Sequence, residues 1–264
     1  METLQTPGRE MTDLTDYVLH LADNALILGH RNSEWTGHGP VLEQDIAISN
    51  IALDLIGQAR MLYQYAARLC GGTQTEDSLA YLRDAWDFKN CLLVELGRGD
   101  WAFTVLRQFF FSTYQYLLYQ KLTGSRDATL AAIAEKAVKE VSYHLRWSGE
   151  WVVRLGDGTQ ESHRRMEAAL LELWAYTGEL TTDAPYESRL SRSGVAVAVP
   201  SLQVPWTQKV TEVLREADLR LSLEALLGNT WMQQGGKLGT HTEHLGFILA
   251  EMQYMQRTYP GSNW

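Results

Sequence analysis

The sequence predicts an all-α protein, a helical bundle with additional helices around it. Three observations carry that reading: long apolar stripes at helical spacing, clear stop signals between them, and neither sustained strand alternation nor an internal repeat. The first stripe is Leu14, Tyr17, Leu21, Asn24 and Leu28, a helix capped by Thr12 or Thr15 and broken by residues 35–40. The second helix runs from about Leu42 to Leu69 and stops at Gly71 and Gly72. Its inner stripe (Ile48, Ile51, Leu55, Gln58, Leu62, Tyr65, Leu69) alternates steps of three and four, a bundle seam with one polar member. A shorter helix covers residues 77–88. The third long helix, residues 100–122, is rich in aromatics, with Phe109, Phe110, Phe111, Tyr114, Tyr116 and Tyr119.

The fourth long helix spans residues 127–155 and is closed by Gly156, Asp157 and Gly158. Its stripe is Leu130, Ile133, Ala137, Glu140 with Val141, His144, Trp151 and Leu155. A further helix follows over residues 161–180, short helices begin near Trp206, and a last one covers residues 240–257. Residues 181–205, with Pro185, Gly194 and Pro200, read as an irregular loop, and Val195–Val199 is a short β-like run. Residues 1–264 are therefore expected to form one domain, flexible over residues 1–12.

Composition narrows the function. With 45% apolar residues and 6 prolines among 264 positions, disorder does not fit, and the chain is long enough to bury a substantial core. The 23 basic and 32 acidic residues leave a charge of −9 with scattered cations, which argues against nucleic-acid and anionic-membrane partners. Cys70 and Cys91 have no metal-ligand or disulfide-framework spacing, as in a reduced cytoplasm. There is no apolar signal core at the polar N-terminus and no uncharged apolar run of about 18 residues. A cytoplasmic protein is expected.

Long bundles commonly hold carboxylate-bridged di-iron sites, built from a Glu on each of two helices and a Glu-x-x-His on each of the other two. Residues three apart share a helix face, so one side chain can bridge the metals while the other completes the coordination. The residues three before the seven histidines are Tyr17, Ile27, Trp35, Val141, Gln160, Leu238 and His241, none of them acidic. The third helix, moreover, has no carboxylate between Asp100 and Asp127. An ordinary di-iron site is excluded on both counts.

What stands at those places looks like a degenerate ligand set. Leu55 and Gln58 occupy the positions of a Glu and a His after Asp54, and Val141 stands three before His144 where a second Glu would be. Asn24, Asp54, Gln58, Glu140 and His144 are expected to meet as a polar cluster in the core. Glu140 and His144 read as a buried i, i+4 hydrogen-bonded pair, with Gln58 satisfied by Asn24 or Glu140.

The segment around His241, Glu243 and His244 invites a Zn²⁺ reading, yet no third ligand has a matching spacing. It reads better as a helix start capped by Thr240 or Thr242. Gly235-Gly236-Lys237-Leu238-Gly239 lacks the full phosphate-loop pattern.

Several segments carry a resemblance: Leu21–Asn24, Glu34–His38, Asn50–Arg60, Lys139–Glu140 with Tyr143–Arg146, and above all the tail from Gly235 to Gly246 continuing through Glu251 and Gln253 to Gly261, with Trp264 at the end. In these the chain resembles, over nearly its whole length, the C subunits of phenylacetyl-CoA epoxidase, a bacterial multicomponent monooxygenase. Lys237, His241, Glu243, His244 and Glu251 belong to that signature. The resemblance implies a ferritin-like bundle and a structural role with no cofactor of its own. It also implies a homologous catalytic A subunit that carries the di-iron centre, and further small subunits. A stand-alone metalloprotein with an atypical site at His241/His244 or at His144 is the alternative.

Overall fold

The computed structural model describes residues 7–72, 74–221 and 231–262. Among them there is no strand, and the architecture is an all-α, ferritin-like bundle. Helix α1 (Pro7–Ser33) pairs with α2 (Leu42–Cys70), and α5 (Trp101–Leu122) pairs with α6 (Ala128–Gly156). These two hairpins form the four-helix core. Short elements α3 (Glu76–Tyr81) and α4 (Leu92–Glu95) link the hairpins. Helices α7 (Gln160–Trp174), α8 (Pro185–Arg192) and α9 (Gln203–Glu216) then wrap the bundle, α7 and α9 against α5 and α6, and α8 against α1. The tail adds α10 (Glu243–Met252) and α11 (Tyr254–Thr258).

The helix starts follow local chemistry. Asp100 accepts a hydrogen bond from the Phe103 amide, Asp127 from Leu130 and Thr159 from Ser162, each satisfying an amide that the helix itself leaves unpaired. Helix α5 is buried nearly all round, as its aromatic sequence demands: Phe109, Phe110, Phe111 and Tyr114 are in the core, and Phe110 packs with Trp174 and Trp206.

Helices α2 and α6 run antiparallel along a polar seam. Its rungs are Trp147 Nε1 to Gln44 Oε1 (3.0 Å), His144 Nε2 to Asp54 (3.0 Å), Gln58 Nε2 to Glu140 (2.9 Å), and a very short contact of the Tyr65 hydroxyl with Asp127.

Several expected boundaries move. The first helix is not capped at Thr12 or Thr15, because Pro7, with its fixed φ and no amide hydrogen to lose, starts it a turn earlier. Residues 7–12, expected to be flexible, are therefore helical; residues 1–6, like Trp264 and residues 222–230, lie outside the described residues. The helix expected at 77–88 is broken into α3 and a 3-10 turn at Ala85–Asp87, where Arg83 turns inward to a buried carboxylate. The 161–180 helix ends at Trp174, before a 3-10 turn at Gly178–Thr181.

The expected loop at 181–205 contains α8, which starts on Pro185 and is amphipathic enough to bury Tyr186, Glu187 and Leu190. The Val195–Val199 run is not a strand: it passes into a 3-10 turn at Val199–Leu202 with Pro200 at its second position. The last helix begins after Thr242 and is interrupted at Gln253.

Candidate functional site

The seam places four of the five residues expected to cluster. Asp54 and Gln58 lie one turn apart on α2, and Glu140 and His144 one turn apart on α6, so the two pairs face each other as successive rungs. The Gln58 carbonyl oxygen accepts from Gln115 Nε2 at 3.0 Å, bringing α5 into the same layer, and Gln115 also donates to the Tyr119 hydroxyl at 3.3 Å. Gln58, Gln115 and His144 are fully buried, but the Asp54 side chain is 37% exposed and Glu140 is half-buried. The cluster is thus a core layer with one side open to the surface. Glu140 is the residue that meets Gln58, and His144 pairs with Asp54 rather than with Glu140.

Asn24 belongs elsewhere. Its carbonyl oxygen accepts from the Cys91 amide (2.8 Å) and its Nδ2 lies 3.3 Å from His20 Nε2. Burial pulls the pKa of His20 down to about 4, so its ring is neutral. With Nδ1 at 2.7 Å from the Lys89 carbonyl, the ring proton sits on Nδ1 and Nε2 accepts from Asn24. Sequence spacing put Asn24 on the inner face of its helix; the α3–α4 segment, invisible to periodicity, decides what it faces.

The donor set of the α2–α5–α6 layer does not fit a pair of iron ions. Leu55 and Val141 are fully buried where bridging carboxylates were expected, and the polar side chains of α5 in the core are amides, hydroxyls and the Arg107 guanidinium, none of them an anionic ligand. Several of those amides and hydroxyls bond within the core: Asn32 of α1 donates to Gln108 (2.7 Å), Gln108 to Ser112 (2.8 Å), and Gln115 to Gln58 of α2. His144 keeps one unpartnered buried nitrogen, Nδ1. Among the described residues no group of three or more His, Cys, Asp or Glu side chains could hold a metal ion.

The tail signature has a different use. Glu95, on α4 and completely buried, accepts from His241 Nδ1 (2.7 Å), Asn90 Nδ2 (2.8 Å), and the Thr242 amide (2.6 Å) and hydroxyl (2.8 Å). His241 Nε2 is 2.9 Å from the Phe88 carbonyl. Both ring nitrogens therefore face acceptors, and only the doubly protonated ring satisfies both, which leaves no lone pair for a metal. Burial disfavours that charge, but Glu95 and the Phe88 carbonyl outweigh it and hold the His241 pKa above the ordinary histidine value.

Lys237 is buried and bridges Glu187 (2.9 Å) and the Thr182 carbonyl (2.9 Å). Burial opposes both charges of that pair, and their mutual attraction prevails: the pKa of Lys237 goes up and that of Glu187 down. Glu179 receives the amides of Leu92, Gly235 and Lys237. The glycines of the motif serve close approach. A Cβ on Gly236 would lie 2.2 Å from the Asn90 carbonyl, and one on Gly239, at φ +85°, would lie 2.3 Å from that of Trp86. The Gly-Gly-Lys-Leu-Gly run is a docking strap, not a phosphate loop.

His244 uses its carbonyl, which accepts from Arg31 (3.0 Å), while its ring lies over Gly97. Glu243 and Glu251 point to solvent. The buried carboxylates Glu95, Glu179 and Glu187, on which the strap depends, carry no motif in the sequence; only Pro185 at a helix start hinted that Glu187 lies on an ordered element.

The protein family described as "Phenylacetic acid catabolic protein" matches residues 1–264. This chain belongs to that family. It is also 46% identical, over 254 residues covering 96% of the chain and 100% of the relative, to the C subunit of 1,2-phenylacetyl-CoA epoxidase from Escherichia coli (strain K12). In this chain the features just described divide in two: a polar seam between α2 and α6, and a tail tied down by buried charge. No helix of the described residues is long and apolar enough to cross a membrane.

One prediction concerns the tail. Because the folded-state pKa of His241 is raised, its contribution to stability is fully present below the unfolded value near 6.5 and is lost as pH rises through the folded pKa. Thermal unfolding followed from pH 6 to 9 should show wild-type stability declining with pH, and His241→Gln should flatten that part of the profile. A variant that keeps the wild-type slope would show that the imidazolium is not the latch.

Proposed function

We propose that this chain is the non-catalytic, structural subunit of a multicomponent di-iron monooxygenase that epoxidises the aromatic ring of phenylacetyl-CoA. In this reading it scaffolds a homologous catalytic A subunit, which supplies the di-iron centre, and further small subunits complete a cytoplasmic assembly. The observation that carries the reading is the α2–α5–α6 layer: Leu55 and Val141, at the positions expected of bridging carboxylates, are buried apolar residues, and Gln115 donates to Gln58, which donates to Glu140. A metal centre needs ionised ligands in a layer of that kind, and packing several carboxylates there without metal would cost several kcal/mol. The share of the chain matched by the C subunit of the E. coli epoxidase supports the assembly to which the role belongs.

The role predicts two results. After incubation with ferrous iron and desalting, the purified chain should hold well under one iron per chain by elemental analysis. Stoichiometric iron that disappears in His144→Ala would overturn the structural reading. In a reconstituted assembly of this chain, the A subunit, the remaining subunits and reductase, His144→Gln should turn over phenylacetyl-CoA within about twofold of wild type, whereas omitting the chain abolishes turnover. A loss in His144→Gln of the size expected for a catalytic group, about 100-fold or more, would place chemistry in this protein.

A further inference from the structure

Helix α10 is apolar on both sides. Leu245, Ile248 and Leu249 are buried against the body, while Gly246, Phe247 and Ala250 face outward, followed by Tyr254 at the start of α11. The outward side thus has Phe247 between solvent-facing Glu243 and Glu251, and Phe247 is 64% and Tyr254 61% exposed.

The surface continues beneath them. Gln253 and Arg257 bond to the Arg83 carbonyl, Arg257 also pairs with Asp84 (3.0 Å), and the Gly239 turn packs on Trp86. Exposed Leu82, Trp86 and Leu238 thus lie on segments packed with the tail that carries exposed Phe247, Tyr254 and Met255. At roughly 100 Å² of exposed area apiece these six side chains together expose about 600 Å², against the ~800 Å² per partner of a standard interface. Glu243, Glu251 and Asp87 are exposed around them, alongside Arg257, whose charge Asp84 balances.

We propose that this tail face docks another helical subunit of the same assembly, through an apolar groove on that partner edged by Lys and Arg. The inference deepens the structural-subunit reading and rests on it, naming the surface by which the scaffold is joined. It also gives the buried charges under the strap a purpose. Glu95, Glu179 and Glu187 hold a short, glycine-rich segment rigid, so that the aromatic side chains of the helices after it are presented in one arrangement and little ordering entropy is lost on docking.

The test is to co-express the full chain with the A subunit and the remaining subunits, and to measure association of the purified proteins by size-exclusion chromatography and calorimetry. Phe247→Glu should weaken association about 100-fold, and Phe247→Ala and Tyr254→Ala about 10-fold each, with circular dichroism and melting temperature close to wild type. Glu251→Lys should weaken it and reduce its salt sensitivity. Leu53→Glu, on the exposed face of α2, should leave it unchanged.

If wild type fails to associate with any of those subunits, the structural-subunit reading itself fails. If wild type associates and folded Phe247→Glu does so equally well, or Leu53→Glu is the variant that blocks it, the docking face is wrong and the structural role stands. Self-association of the chain alone, or flotation with phosphatidylglycerol vesicles, that is lost in Phe247→Glu while association with the subunits is unchanged would assign the face to a second copy or to a membrane and overturn the proposal.

Discussion

Replacing Asp23 with alanine is expected to lower the stability of this chain by about 3–5 kcal/mol. Asp23 is completely buried on α1 and ties three segments together. One oxygen accepts from the Tyr63 hydroxyl of α2 (2.5 Å) and from Arg83, and the other from the Lys89 amide (2.7 Å) and Arg83 Nη1 (3.1 Å). Removing the carboxylate leaves the largely buried Arg83 guanidinium without its counter-ion, and a phenol and an amide without acceptors. Urea unfolding should show the midpoint fall, and the melting temperature should drop by roughly 6–20 °C for a chain of this size. The exposed Arg60–Glu76 pair is the control, since Glu76→Ala should cost no more than about 1 kcal/mol. Equal, small losses at both positions would show that Asp23 is not a structural hub.

The second large effect lies under the tail. Lys237→Met is expected to cost about 3–5 kcal/mol because it leaves the Glu187 carboxylate buried and unpaired. Adding Glu187→Gln should restore most of that loss, since the neutral amide retains an acceptor for the Ala184 amide (2.8 Å) and no longer needs a cation. The coupling between the two sites, measured as a double-mutant cycle in urea, should therefore exceed about 2 kcal/mol. An additive result would mean that the two charges are each solvated independently and that the strap is held by Glu95 and Glu179. In the assembly, Lys237→Met should also weaken subunit association, because the same strap presents Phe247 and Tyr254.

The seam and the tail differ in how far the sequence foretold them. Steps of three and four placed Leu55, Gln58, Val141 and His144 on inward faces, and they are fully buried. The third helix could be read as free of carboxylates residue by residue, so the chemistry open to the layer was legible before any coordinates. The partner of Gln58 was narrowed to two residues, and Glu140 is the one that meets it. Periodicity could not show that His144 would turn to Asp54. Helical spacing ranks neighbours along one helix, whereas the register between α2 and α6 depends on how both hairpins pack.

In the tail the motif was visible and its meaning was not. His241 and Lys237 stood out as titratable residues in a conspicuous segment, but their partners Glu95 and Glu187 lie 146 and 50 residues away in the chain. Such pairings have no local signature. The expected loop at 181–205 failed for a related reason: Pro and Gly signalled an interruption, while the short amphipathic helix α8 between them owes its stability to burial against α1.

By itself, then, the sequence determined the all-α bundle, the direction of its long helices' faces and the absence of an ordinary di-iron ligand pattern, because these follow from spacing and residue type. The tertiary structure decided that the polar layer opens at Asp54, that Asn24 serves His20 and Cys91, and that the tail is strapped by buried carboxylates with its aromatics outward. Those outcomes depend on which distant groups share a desolvated space, where the electrostatic and hydrogen-bond free energies that select partners are largest.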